Sequence, residues 1–193
     1  MNEFANQFSQ IILLFKLNLY PAAKFVLIFW VIHLLNLLAG YRLNYLGIVP
    51  RHILGLRGIP FYTFLHGDFN HLLLNSIPLF ILSDLIMVYG LREFIIVTLI
   101  IIILAGLAIW LFARTAVHIG ASSLVMGYWG FLLMNAYQNP GVFSIILAAI
   151  CLYYFSGNML ASLVPTRERV SWEGHLFGLL AGIAAIYLYP YFL

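Results

Sequence analysis

The chain predicts an all-α membrane protein, a bundle of six transmembrane helices, and three observations predict it. Of 193 residues, 64% are hydrophobic and only 8% are charged, whereas a soluble domain carries about 25% charged residues. The apolar residues gather into runs of about 20, the helical length that crosses a hydrocarbon core about 30 Å thick. These runs lack the alternation over about 10 residues that marks barrel strands. The net charge of +3 is spread along the chain. With no basic cluster, no Gly-rich phosphate loop and no CxxC spacing, nothing points to nucleic acid, a nucleotide or a metal.

The elements follow in order. Residues 1–20 mix apolar and polar side chains and read as an interfacial segment. The opening MNEFANQF has no basic n-region and no small-residue cleavage site, so the first span is expected to be its own targeting signal. Span one is 22–40, around KFVLIFWVIHLLNLLAG. The connection 41–69 carries Arg42, Arg51, Arg57, Pro50, Pro60 and several glycines among apolar residues. It is too apolar for a solvated loop and too broken for a span, so it reads as a partly helical segment at the membrane surface. Span two is 70–89. Span three, 94–113, is the plainest, bounded by Glu93 and Arg114. Spans four to six are 121–138, 142–164 and 172–192. Their short loops make sequential helices antiparallel neighbours. No repeat or linker divides the chain, so residues 1–193 are expected to form one domain. Cys151 is the single cysteine, and it excludes an intrachain disulfide.

Polar residues inside apolar spans cost a few kcal/mol on insertion scales and usually face the bundle interior. His33 and Asn36 lie in span one, where they read as packing it into the bundle. Asp84 lies near the far end of span two. His71 and Asn75 also lie in span two, spaced i, i+4 on one helix face, with Asp68 or Asn70 able to cap the helix. They are either two donors aimed at one point or a polar clasp between helices. Ser122 follows Gly120 at the start of span four, where unpaired N–H groups and the positive dipole end suit an oxyanion. Ser122 and Ser123 read equally as caps or small packing residues. His175 shares a stripe with Gly178 and Gly182 in span six, so it faces a closely packed helix. It is either a general base or a structural hydrogen bonder. Together these groups supply a nucleophile, a base and oxyanion donors, the parts of acyl transfer.

From about residue 41 to residue 190 the chain resembles the rhomboid family of intramembrane serine proteases. LGIVPRHILGLRGIPFYTFLHGDFNHLLLN looks like the family's first loop and second helix. HLLLN, His71 to Asn75, fits its HxxxN motif, and His66 fits a histidine usual just before it. GASSLVMGYWG fits GxSx with the small residues Gly127 and Gly130, and GHLFGLLAG fits the final-helix histidine motif. The resemblance implies a rhomboid-like six-helix bundle. It implies Ser122 as nucleophile and His175 as general base, with an oxyanion hole from the Ser122 N–H, His71 and Asn75. Gly120 leaves room for the scissile carbonyl, and Met126 and His66 support the site. It further implies a substrate that is another protein's transmembrane helix, and a water-filled cavity open away from the cytoplasm. No metal or cofactor is implied, and the expected location is a bacterial inner membrane.

The chain departs from the family pattern in places. Ser123 replaces a glycine. Met126 stands where an aromatic often packs on the histidine, and sulfur–aromatic contact can substitute. Ile119 stands near another usual glycine. The extended first-loop Trp-Arg feature of some members is missing, with Arg51 or Arg57 available in its place. His118 has no family role and reads as an interfacial histidine. Glu173, two residues from His175, points to another helix face and is not a triad acid. Lateral entry is expected past span five, with Phe143, Tyr153, Tyr154 and Phe155, under a cap formed by 165–171. The rivals are an inactive rhomboid-like protein that binds transmembrane helices, and a small transporter or channel using His71, Asn75 and Asp84 as a polar path. A processor that passes the acyl group to an amine is a further variant of the protease reading.

Six spans put both termini on one side, with Lys16, Lys24 and Arg92. The other side has Arg42, Arg51, Arg57, Arg114, Arg167 and Arg169. The arginine count favours termini outside; the resemblance implies the reverse. Several of those arginines sit in the surface-lying first loop, so cytoplasmic termini are expected. A reporter fused after Leu193 should be active in the cytoplasm; activity only outside it overturns the orientation.

Overall fold

A computed structural model describes residues 2–164 and 171–193. Among the described residues the regular elements are helices, with one isolated antiparallel bridge. The helices are α1 (Asn2–Leu38), α2 (Phe69–Met87), α3 (Leu91–Phe112), α4 (Ser122–Gln138), α5 (Val142–Ser162) and α6 (Trp172–Leu188). Four stretches are long and apolar enough to cross a membrane: Asn6–Leu38, Phe69–Met87, Leu91–Phe112 and Trp172–Phe192. The chain is an integral membrane protein. Residues 2–38 form one unbroken helix that passes through Pro21, so the stretch read as interfacial continues directly into the first span. Of the expected cap 165–171, all but Ser171 lies outside the described residues.

α4 is the central helix. Ser123 to Leu132 are buried without interruption, as in a helix surrounded by protein on every side. Its closest partner is α6. A Cβ on Gly178 would strike the Ser123 carbonyl, one on Gly182 would strike the Gly127 carbonyl, and one on Gly130 would meet the Leu179 carbonyl oxygen at 2.7 Å. Backbone therefore packs on backbone along the seam. In lipid this is how helices gain dispersion contact without a hydrophobic driving force.

α1 lies on α2, where the Trp30 indole N–H donates to Ser76 Oγ at 3.0 Å. Asn36 closes the end of α1: its Oδ1 accepts from Leu43 N at 3.0 Å and its Nδ2 donates to Asn44 Oδ1 at 2.8 Å. The first loop then runs through short 3-10 turns at Arg42–Leu46, Ile53–Gly58 and Tyr62–Phe64. It is sewn to the α3–α4 loop by an antiparallel bridge, with Ile48 N to His118 O at 3.1 Å and His118 N to Ile48 O at 2.9 Å. Arg51 adds a second stitch, donating to Ala113 O at 2.7 Å and Thr115 Oγ1 at 2.9 Å.

The seam predicts opposite outcomes for two glycines. Gly182→Ala forces α4 and α6 apart and should cost about 1–3 kcal/mol of stability. Gly157 has nothing within 4 Å of its added Cβ, so Gly157→Ala in α5 should be neutral or stabilising by up to about 1 kcal/mol. Thermal unfolding in detergent checks both.

Candidate active site

Ser122 is the first residue of α4, and its position is fixed from the loop before it. Gly120 adopts φ +119°, a conformation open to glycine. An added Cβ there would come within 2.8 Å of the His71 ring. The Gly120 N–H donates to Tyr62 O at 2.9 Å, and the Ala121 N–H donates to His66 Nε2 at 3.3 Å. Ala121 caps the helix without a side-chain bond, so neither serine is a cap. The Ser122 N–H is one of the first-turn donors that the helix leaves unpaired. Ser123 turns to the loop and donates to the Tyr62 hydroxyl at 3.1 Å. Ser122 is half-buried, and among the described residues its hydroxyl has no hydrogen-bond partner.

His175 is buried one turn into α6. Its Nδ1 lies 2.9 Å from Ser162 O. A carbonyl only accepts, so Nδ1 carries the proton and Nε2 keeps its lone pair. Met126 is buried nearby, its sulfur 3.9 Å from Ser162 Oγ, whose hydrogen goes to Met159 O at 2.7 Å. Met126 thus lies beside the residue whose carbonyl holds His175.

Asp68 caps α2, accepting from His71 N at 2.9 Å. Asn75 Nδ2 donates to the His71 carbonyl of its own helix at 3.0 Å. Among the described residues neither side chain bonds to another helix, so the clasp is not formed.

Ser122, His175, His71, Asn75 and Met126 all line one cavity of about 1230 Å³. Its walls are Leu74, Ile77, Pro78 and Ile81 of α2 and Tyr154, Phe155, Met159 and Ser162 of α5, with 116–119 along another side. His66 lies behind the cavity, buried under the α4 start. Tyr153 is exposed on the outer face of α5, and Phe143 packs on Tyr89 away from the cavity. Asp84 is buried deeper in α2, both its oxygens without a hydrogen-bond partner among the described residues, and it does not line this cavity. His33 stacks edge-on to Tyr41. Glu173 pairs with Arg114 at 3.4 Å.

His118 is buried, at 4% exposure, rather than at an open interface. Nε2 lies 3.0 Å from Arg114 O and Nδ1 lies 2.8 Å from Ser171 Oγ. Ser171 in turn caps α6, accepting from Gly174 N at 3.2 Å. Sequence reading missed Ser162, Tyr62 and Ser171 as supports. Ser171 alone left a signal, a serine directly before an apolar helix.

Fold and cavity define a helical membrane protein with a largely apolar chamber between its helices, into which Ser122, His71, Asn75 and His175 bring polar groups. The rhomboid-domain family model matches residues 55–192. An uncharacterized protein of Mycobacterium tuberculosis is 36% identical over 172 residues, covering 85% of this chain and 72% of the relative. One from Mycobacterium leprae is 34% identical over 173 residues, covering 85% and 68%. A protein of Acanthamoeba polyphaga mimivirus that is named as a rhomboid protein is 28% identical over 135 residues, covering 66% and 72%. The chain belongs to the rhomboid family.

Burial, with His71 adding to it, pushes the His66 imidazole down to about 3. Burial also lowers His118. An unfolded histidine titrates near 6.5, so below that pH the unfolded chain binds more protons than the folded one. Stability is then whole above about pH 6.5 and falls as pH drops towards about 3, at up to about 1.4 kcal/mol per pH unit per histidine. Thermal unfolding over this range should show the fall. His66→Gln keeps an acceptor for Ala121 without titrating, and it should flatten the fall; an unchanged slope removes His66 as its source.

Proposed function

We propose that the chain is an intramembrane serine endopeptidase that cuts transmembrane segments of other membrane proteins, using Ser122 as nucleophile and His175 as general base. The observation that carries this reading is the convergence of Ser122, His175, His71 and Asn75 on one cavity, with His175 in the tautomer that leaves Nε2 free to take a proton. Ser122 Oγ attacks the scissile carbonyl as His175 removes its proton. The Ser122 N–H, His71 and the second Asn75 amide hydrogen stabilise the oxyanion. His175 then protonates the leaving amine, and water resolves the acyl-enzyme.

A transmembrane helix keeps its carbonyls bonded internally, so the substrate must unwind to reach Ser122. Helix-breaking residues and a small side chain at the cleavage point favour this. Entry is lateral, between α2 and α5, where Tyr154 and Phe155 stand at the wall, and motion of that wall gates access. The full reading is of one domain of six spans in a bacterial inner membrane. An inactive helix-binding homologue is the second reading, favoured by Met126 at a place where an aromatic often supports the histidine.

Detergent-purified protein should cleave a tagged model transmembrane substrate. Ser122→Ala and His175→Ala should abolish cleavage, Asn75→Ala should lower kcat by about 10²-fold, and Ser123→Ala should remain active. If the wild type cuts nothing across several substrates and does not react with a fluorophosphonate, the helix-binding reading replaces the protease.

A further inference from the structure

We propose that His118 is a positioning residue that holds the starts of α4 and α6 in register, and so sets Ser122 against His175; this rests on the protease reading above. Four bonds meet at this one buried ring and its peptide. The backbone of His118 exchanges both bridge bonds with Ile48 of the first loop. Its Nε2 faces the Arg114 carbonyl, which only accepts, so Nε2 carries the proton and Nδ1 is an acceptor. Nδ1 therefore takes the Ser171 hydroxyl hydrogen at 2.8 Å. That fixes the Ser171 oxygen to receive the Gly174 N–H, while the Ser171 carbonyl receives the His175 N–H at 3.3 Å.

The consequence is geometric. Ser122 follows His118 by four residues, through the constrained Gly120 turn. His175 follows Ser171 by four residues, through the first turn of α6. His118 to Ser171 is the link between these two short arms. The glycine seam fixes the spacing of α4 and α6 farther down; the His118–Ser171 bond fixes it at the level of the reacting groups. Glu173 pairs with Arg114 at 3.4 Å, and among the described residues it makes no hydrogen bond to His118 or Ser171.

The test uses the full chain in detergent with His118→Ala, Ser171→Ala, Ser171→Thr and the His118→Ala/Ser171→Ala double variant. The readouts are the rate of Ser122 labelling by a fluorophosphonate, and kcat and KM on a model transmembrane substrate. Each alanine variant should lower the labelling rate and kcat about 10- to 100-fold with KM little changed. The double variant should be no slower than either single one, and Ser171→Thr, which keeps the hydroxyl, should restore the wild-type rate. Labelling that His118→Ala leaves unchanged, or losses that multiply in the double variant, overturns the inference alone. Should His118→Ala fail to fold, the Ser171 pair decides: equal rates for Ser171→Ala and Ser171→Thr overturn it. A wild type that is not labelled overturns the protease reading and this inference with it.

Discussion

The contact of backbone with backbone between α4 and α6 is the constraint on which the rest of the structure depends. Gly178 faces the Ser123 carbonyl and Gly182 the Gly127 carbonyl with no room for a Cβ. Ser122 is one residue before the first contact on α4, and His175 is three residues before it on α6. The separation of these two side chains is thus set by helix approach, not by a flexible loop. Small residues suit a bilayer, where lipid tails are as apolar as leucine and only close packing or hydrogen bonding rewards association. Larger side chains here would move the axes apart and carry the histidine away from the serine.

Around that seam, irregular backbone is held by bonds rather than left to solvent. The first loop reaches α3 and the α3–α4 loop through Ile48, Arg51 and the Trp110 indole, which donates to His52 O at 2.9 Å. From the same loop Tyr62 binds Gly120 and Ser123, and His66 binds Ala121. The start of α4 is therefore framed from one side by the loop and from the other by α6. α2 contributes a different feature. Pro78 has no N–H, so the Leu74 carbonyl one turn earlier loses its helical donor. Both residues line the cavity; under the protease reading this is the wall where a substrate segment would find partners for its unwound backbone.

Much of this was legible in the sequence because membrane helices announce themselves by length and apolarity, and because glycine spacing reveals close approach. Gly178 and Gly182 could be assigned to a packing stripe before any coordinates. His71 and Asn75 could be put on one face, with Asp68 or Asn70 at its cap. What stayed hidden depends on contacts far apart in the chain. Ser162 precedes a short loop with no motif around it, yet its carbonyl orients His175. His118 looked interfacial because it stands beside Arg114 and Thr115 at the end of an apolar run; its burial comes from Ile48 and Ser171, remote in sequence. Residues 1–20 and span one failed to separate because polar residues spaced along a helix do not break it, and α1 runs on through Pro21 as well.

The support of His175 bears on how fast such a site can work. In the serine–histidine–aspartate arrangement a carboxylate stabilises the imidazolium that forms during attack. Here the Nδ1 partner is the neutral Ser162 carbonyl. It selects the same tautomer but carries no charge to meet the developing cation. Hydrogen bonds to charged partners contribute about 1.5–3 kcal/mol against about 0.5–1.5 for neutral ones, so the difference is about 1–1.5 kcal/mol, or roughly tenfold in rate. Glu173 does not make it up, since its salt bridge turns it to Arg114. Orientation costs more to lose than this charge, because a misplacement of about 1 Å can cost about 10²-fold. Under the protease reading, a chain that omits the carboxylate depends correspondingly more on position. The glycine seam, the Gly120 turn and the His118–Ser171 bond are where that position is held.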